Sequence, residues 1–236
     1  MNKIFRFKQT DDTKVYFHSD WHYNHAPRWD VPIWKQRGYN SVEEMNVDII
    51  KNVNETIRAQ DILIYLGDIS LNCAEDQFER FISQINCQNI YTLFGNHNSP
   101  VWTIYRREIG RWLEKNYNHG LDQIGEPYIL NQESDTEIYP FKYKNIIFIG
   151  NYAEFIVDGQ HIVASHYPFM IWNKMSSQTW CLVGHSHGGC SNTNTQNKYG
   201  RILDVGYDEH KKPLSFYEIK SIMDSKKFIP IDRHHI

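Results

Sequence analysis

The chain has 236 residues, 41% of them hydrophobic and 14% aromatic, with a formal net charge of -3 and a pI near 6.4. That is enough apolar material for one large domain, and it gives a nucleic-acid binder no overall basic charge to work with. No apolar run approaches the roughly 20 residues of a membrane-spanning helix, the start from Met1 to Lys8 lacks the h-region and cleavage site of a signal peptide, and Cys73, Cys87, Cys181 and Cys190 have neither zinc-like nor CxxC spacing, which predicts reduced thiols and a cytoplasmic setting.

In chain order, residues 15–19 read as a buried strand that delivers Asp20-Trp21-His22 at its end, followed by Tyr23-Asn24-His25. Residues 26–40, rich in Trp, Pro and Arg, read as a long loop over that end. Ser41-Val42-Glu43-Glu44 is a capping box, and Met45, Ile49, Ile50, Val53 and Ile57 follow at helical spacing as a core stripe. Residues 61–66 form the next buried strand, ending in Gly67-Asp68. A helix over 75–85 and a strand over 90–94 follow, the latter ending in Gly95-Asn96-His97-Asn98, and then a helix over 102–113. Three successive units of strand, polar end and helix predict parallel strands with crossover helices. Ligands of such sheets bind beyond the carboxyl ends of the strands, and Asp20, His22, Asp68, Asn96 and His97 all fall there.

The second half changes character. Short strands are predicted over 128–130, 137–143, 146–149, 153–157 and 162–165, with hairpin turns at Lys144-Asn145 and Asp158-Gly159. His166 ends the fifth, before Tyr167-Pro168. The apolar run Trp180-Cys181-Leu182-Val183 leads into Gly184-His185-Ser186-His187-Gly188, whose two imidazoles, two positions apart, share a face if the strand continues. A polar loop over 191–200, a strand over 201–205 and a last strand over 215–219 complete the domain, and the end, with His234 and His235, reads as a tail. One domain spans 1–236, its core about 14–219 and its tail 220–236.

Collected in order, the strand ends carry Asp20-x-His22, Gly67-Asp68, Gly95-Asn96-His97, His166 and Gly184-His185-x-His187. The set over residues 14–219 resembles the calcineurin-like metallophosphoesterase superfamily, with every metal-ligand position of that pattern filled in order. Asp20-Trp21-His22-Tyr23-Asn24-His25, Ser41 to Met45, His166-Tyr167-Pro168 and Asp204-Val205-Gly206-Tyr207-Asp208 look like the small phosphoesterases of bacteriophages and some bacteria, a similarity that raises a viral origin and the host cytoplasm as the place of action. The resemblance implies an α/β fold, a two-sheet αββα sandwich of mixed β-sheets flanked by helices. It implies two divalent metal ions: Asp20, His22 and His187 on the first, Asn96, His166 and His185 on the second, and Asp68 between them. Mixed oxygen and nitrogen donors suit Mn, Fe or Zn and not an all-oxygen calcium cage; with the resemblance, Mn is the first expectation and Fe, Zn or Ni the others. The implied activity is hydrolysis of phosphodiesters or phosphomonoesters, nucleotides and cyclic nucleotides among them, by a hydroxide bridging the metals. His97 takes the place of the acid that protonates the leaving oxygen. Asn98 follows it where the family has Asp or Glu; an amide orients an imidazole without supporting its charge, which predicts good leaving groups or a lower pH optimum.

Other residues are less determined. His25 is placed to touch the phosphate or to orient a ligand. Arg28 and Arg37 offer bidentate forks to a substrate phosphate, or are solvated. His18 fits a satisfied core histidine, and Trp21, Trp29 and Trp34 fit packed aromatics better than base-stacking ones. Alternatives are a nuclease or nucleic-acid end phosphatase, for which the acidic balance offers no help against a phosphate backbone, and a non-catalytic scaffold of the same fold, which would more naturally have lost a histidine. The expected partner is a small phosphate-ester or nucleotide substrate rather than nucleic acid or a membrane. Purely structural zinc is opposed by the absence of cysteine from the constellation.

Overall fold

The computed structural model describes residues 4–26, 31–71, 73–97, 100–117, 141–189 and 200–226. A six-stranded sheet runs in the order β11(Leu214–Ser215), β2(Val15–His18), β3(Ile62–Tyr65), β4(Asn89–Thr92), β6(Ile146–Phe148), β5(Phe141–Tyr143). Its four middle strands are parallel and its two edge strands antiparallel. A five-stranded sheet runs β1(Ile4–Phe7), β7(Tyr152–Val157), β8(Gln160–Ser165), β9(Trp180–Val183), β10(Ile202–Asp204), with only β7 and β8 antiparallel. The protein is therefore a mixed α/β chain built on two mixed sheets.

Strand alternation sorts the core into layers. Leu63 and Tyr65 of β3 point to the helix side, where they meet Met45, Ile49 and Val53 of α2(Val42–Thr56), Phe78 and Phe81 of α3(Glu75–Ser83) and Ile104 of α4(Val101–Tyr117). Ile64 and Leu66 point the other way, against Phe155, Ile162 and Leu182 of the second sheet. Both faces of β3 are thus covered, which is why residues 62–66 read as an unbroken apolar run. Each such side chain contributes roughly 1.5–3 kcal/mol by burial. The capping box predicted at Ser41 is half formed: Ser41 Oγ accepts from the Glu44 N–H at 3.1 Å, while Glu44 returns its carboxylate to the Asn40 N–H. The two predicted hairpin turns join β5 to β6 and β7 to β8.

Several expectations are corrected. The loop over 26–40 contains a short helix, α1(Ile33–Gln36), which buries Ile33. The last predicted strand, 215–219, is mostly the start of α5(Phe216–Ser225), because Ser215 and Glu218 close a reciprocal capping box. That helix buries Phe216, Ile219 and Met223 in the layer between the sheets, so the core runs past 219 into the expected tail. It also begins before 14, since β1 pairs with β7. The outer face of the five-stranded sheet carries Val163, Cys181 and Val183; among the described residues it is covered by Trp172 and Met175 of the segment 166–179, not by a long helix. The expected strand over 128–130 and the start of that over 137–143 lie outside the described residues. Among the described residues no helix is long and apolar enough to cross a membrane.

Candidate metal centre

Candidate ligands from both sheets come to one end of the molecule. β2, β3 and β4 are in register, with His18 beside Tyr65 and Tyr65 beside Thr92, so the segments after them emerge level. Backbone bonds then lock those segments together: Asp20 N to Gly67 O at 3.1 Å and His22 N to Asp68 O at 3.0 Å. The second sheet joins them through the bridge between Ser19 and Gly206, and Gly184 N donates to His166 O. Simple strand alternation does not aim the side chains, contrary to expectation. Asp20, His22, Asp68, His185 and His187 all have φ between 48° and 68°, the left-handed region, at roughly 1–2 kcal/mol each. Such strain persists where surrounding structure imposes it, typically at functional sites. Two glycines are needed for close approach. A Cβ on Gly95 would fall on Asp68 Oδ1, and one on Gly184 would fall on Ser19 Oγ and Asp20 Oδ2.

The donor atoms gather in two groups. Asp20, His22 and His187 bring one donor each within 4.8 Å of the others, and so do Asp68, His166 and His185. His185 and His187 therefore serve different groups. Asp68 Oδ2 stands between them, 3.6 Å from His22 Nε2 and 3.3 Å from His166 Nε2. Asn96 Oδ1 lies 2.9 Å from both His166 Nε2 and His185 Nδ1, and so joins the second group.

The donors fit a pair of cations. Asp20 Oδ1 and both ring nitrogens of His22 are buried with no hydrogen-bond partner, an arrangement that costs about 1–3 kcal/mol per polar group if nothing binds there. His22 Nε2 is 3.7 Å from Asp20 Oδ1, too far for a hydrogen bond. His166 Nδ1 faces the Leu66 carbonyl at 2.9 Å, so that nitrogen carries the proton, and in the neutral ring the Nε2 lone pair points at Asp68 and Asn96. An amide can turn to offer its NH2 group, but the carboxylate has no proton to offer. A cation between them removes the conflict, and oxygen with imidazole suits a first-row divalent metal.

Groups behind the donors orient them. His187 Nδ1–H donates to Asp208 Oδ2 at 2.6 Å, leaving Nε2 to face inward. Asp208 is held by a two-point bond from Arg37, at 2.9 Å from Nε and 2.7 Å from Nη2. Arg37 also donates to the carbonyls of Asp20 and Trp21, and its side chain is 1% exposed. The expected contact between Arg37 and a substrate phosphate is thereby corrected: the guanidinium is consumed behind the first group of donors. Arg28, Trp29 and Asn98 lie outside the described residues. His25 accepts from the Ile33 N–H at 3.2 Å, and its ring faces His22 and His97. His97 ties its backbone N–H to Asp68 Oδ1 at 2.7 Å, and its half-buried ring lies 5.3 Å from that of His22. His18 is the satisfied core residue expected, accepting from Trp21 Nε1 and donating to the His210 carbonyl. Trp21 is fully buried.

Proton affinities follow these surroundings. Burial holds the His22 imidazole well below the ordinary histidine range, and pushes His18 down to about 4. For Asp68 burial acts upward, but the neighbouring His166 and His22 rings and the His97 backbone N–H together bring the carboxyl below its usual range. Burial works against a charged His187, and the bond to Asp208 overrides it and raises the ring.

No family model matches the chain. Over 85 residues it is 35% identical to an uncharacterized protein of Methanocaldococcus jannaschii, a match covering 36% of this chain and 47% of that protein. The chain thus matches about half the length of that relative. A crystal structure of a protein of unknown function from Aquifex aeolicus has the same fold, with a TM-score of 0.57 and 16% identity, covering 89% of this chain and 99% of that one.

Proposed function

We propose that this protein is a dinuclear metal-dependent phosphoesterase, and that its two-sheet α/β arrangement is the metallophosphoesterase sandwich its motifs resemble. The observation that carries the reading is Asp68, whose Oδ2 stands 3.3–3.6 Å from an imidazole of each donor group. Two divalent cations close together need such an anion between them. Asp20, His22 and His187 would hold one, Asn96, His166 and His185 the other, with Mn the first choice and Fe, Zn or Ni as further ones. When bound, the pair supplies Lewis acidity toward the phosphoryl oxygens and a water ionised near neutral pH.

The chain's own residues do the rest. Asp208 and Arg37 fix the His187 ring, so its donor nitrogen is in place before the ion arrives. In the displacement a water oxygen bonds to phosphorus while the bond from phosphorus to the leaving oxygen breaks. His97 gives its proton to that oxygen and recovers one from the attacking water. Its backbone tie to Asp68 keeps the ring beside the donor groups. A non-catalytic scaffold is disfavoured, because the complete donor set is brought together. The buried free thiols Cys73, Cys87 and Cys181 support a reducing, cytoplasmic setting.

The test is hydrolysis of paired chromogenic monoesters and diesters by metal-stripped protein titrated with Mn, Zn, Fe and Ni. Activity is expected to return with metal, to fall about 10²–10⁴-fold in His97→Ala, and to collapse in Asp68→Asn. A stripped protein that binds no metal, with no turnover above the two variants, would remove the reading.

A further inference from the structure

Tyr167 directly follows the donor His166 and stands over the second donor group. Its ring centroid is 4.5 Å from that of His185 and 5.2 Å from that of His166, yet the residue remains 48% exposed. Two more exposed large apolar residues follow within four positions, Met170 at 67% and Ile171 at 52%. The other large exposed apolar side chains among the described residues, at 4, 31, 47 and 217, are scattered along the chain. Single exposed apolar residues need no explanation, whereas a half-exposed aromatic ring held against two candidate donor imidazoles is placed to meet what binds there.

The segment that carries Tyr167 is firmly mounted. Tyr167 precedes Pro168, whose ring fixes its own φ and disfavours the helical region for Tyr167. Phe169 packs on the outer core of the five-stranded sheet, 6.0 Å from Tyr152. Trp172 is buried there with its Nε1 donating to Thr179 O at 2.9 Å, and Asn173 donates to both oxygens of the buried Glu154 at 3.0 Å. A surface ordered in advance does not lose binding energy to ordering.

The two ends of the centre thus differ. His97 and His25 flank the first donor group with polar rings, while the Tyr167 ring flanks the second. We propose that Tyr167 determines specificity: it stacks against a planar apolar group, aryl or nucleobase, carried by the substituent that stays on phosphorus while the leaving oxygen departs at the His97 end. The substrate class is then a phosphodiester with one planar substituent on its retained arm. This inference rests on the phosphoesterase reading.

The test uses full-length, Mn-loaded protein and three diesters that share a p-nitrophenyl leaving group and differ in the retained group: methyl, phenyl and thymidine 5′-yl. Wild type is expected to favour phenyl or thymidine over methyl by about tenfold in kcat/KM, the scale of one base–aromatic stack. That ratio should fall toward one in Tyr167→Ala and survive in Tyr167→Phe. Calorimetry on wild type, comparing phenylphosphonate with methylphosphonate, reads the same preference without turnover and without a variant. Equal affinity for the two phosphonates, or a diester ratio unmoved by Tyr167→Ala, would overturn the inference. Absence of turnover on every ester with metal bound would sink the phosphoesterase reading instead, and the phosphonate comparison would still decide this one.

Discussion

In the first donor group His187 presents its Nδ1 to a carboxylate, Asp208, at 2.6 Å; in the second His166 presents its Nδ1 to a carbonyl, Leu66, at 2.9 Å. The first group carries the Asp20 carboxylate, and the second has the neutral amide of Asn96 in the corresponding place. A carboxylate behind an imidazole raises its basicity as a ligand, and a carbonyl does so less. Asp68 is common to both. The first group is therefore the more anionic and the more tightly braced, with Arg37 holding Asp208 from behind. This comparison predicts unequal sites: the first cation binds more tightly, and the second depends on the shared carboxylate.

The strongest way to break that picture is to move Asp68. In Gly95→Ala the new Cβ would fall on Asp68 Oδ1 and lie 2.7 Å from the Asp68 backbone nitrogen, which cannot yield. Both cations should bind more weakly and turnover should drop by at least about 10³, on the scale of losing a key electrostatic group from an active site. Metal content and rate measured together check this. A variant that keeps two metals and full activity would show that Asp68 is not shared.

Acid gives the next largest effect. His18 lies under the first group, where the Trp21 indole donates to its Nδ1. Burial depresses its folded pKa to about 4, while an unfolded histidine titrates near 6.5. The unfolded chain therefore takes up the proton first. The stability contribution is whole above pH 6.5 and is lost as pH falls toward 4, a change on the order of 3 kcal/mol. Urea denaturation of metal-free protein between pH 7 and 4.5 should show this slope, and His18→Gln should flatten it. Parallel slopes for the two proteins would refute the assignment.

The smallest effect sharpens the comparison most directly. Asp208→Asn should weaken the tighter binding step by about 10–100-fold, as loss of a group that orients a ligand does, and leave the weaker step close to unchanged. Asn96→Asp should tighten the weaker step. Two-step calorimetric titration with Mn reads both. If Asp208→Asn moves both steps equally, the two groups do not differ in the way the geometry implies.

Much of this arrangement was legible in the linear order of residues. Residues 62–66 are apolar on both faces, and 90–94 nearly so, because both faces are covered, and a carboxylate or amide just beyond each run is conspicuous. The spacing of Met45, Ile49 and Val53 announced a buried helix face. What misled was local. Phe216, Tyr217 and Ile219 are good strand formers, yet the Ser215 to Glu218 capping box made them a helix, and that signal was present in the sequence. Alternation along a strand gave the right residues for the wrong reason, since left-handed backbone conformations aim them. Arg37 looked like a free fork for phosphate because its partner Asp208 is 171 positions away.

By itself the sequence determined the strands, most of the helices, the donor residues and their order, because periodicity and residue chemistry act over a few positions. Only the tertiary structure decided how the candidate donors are aimed, that Arg37 braces Asp208, and that Tyr167 overhangs one end. Those outcomes depend on where two sheets meet and on contacts between residues more than a hundred positions apart, and no local pattern encodes them.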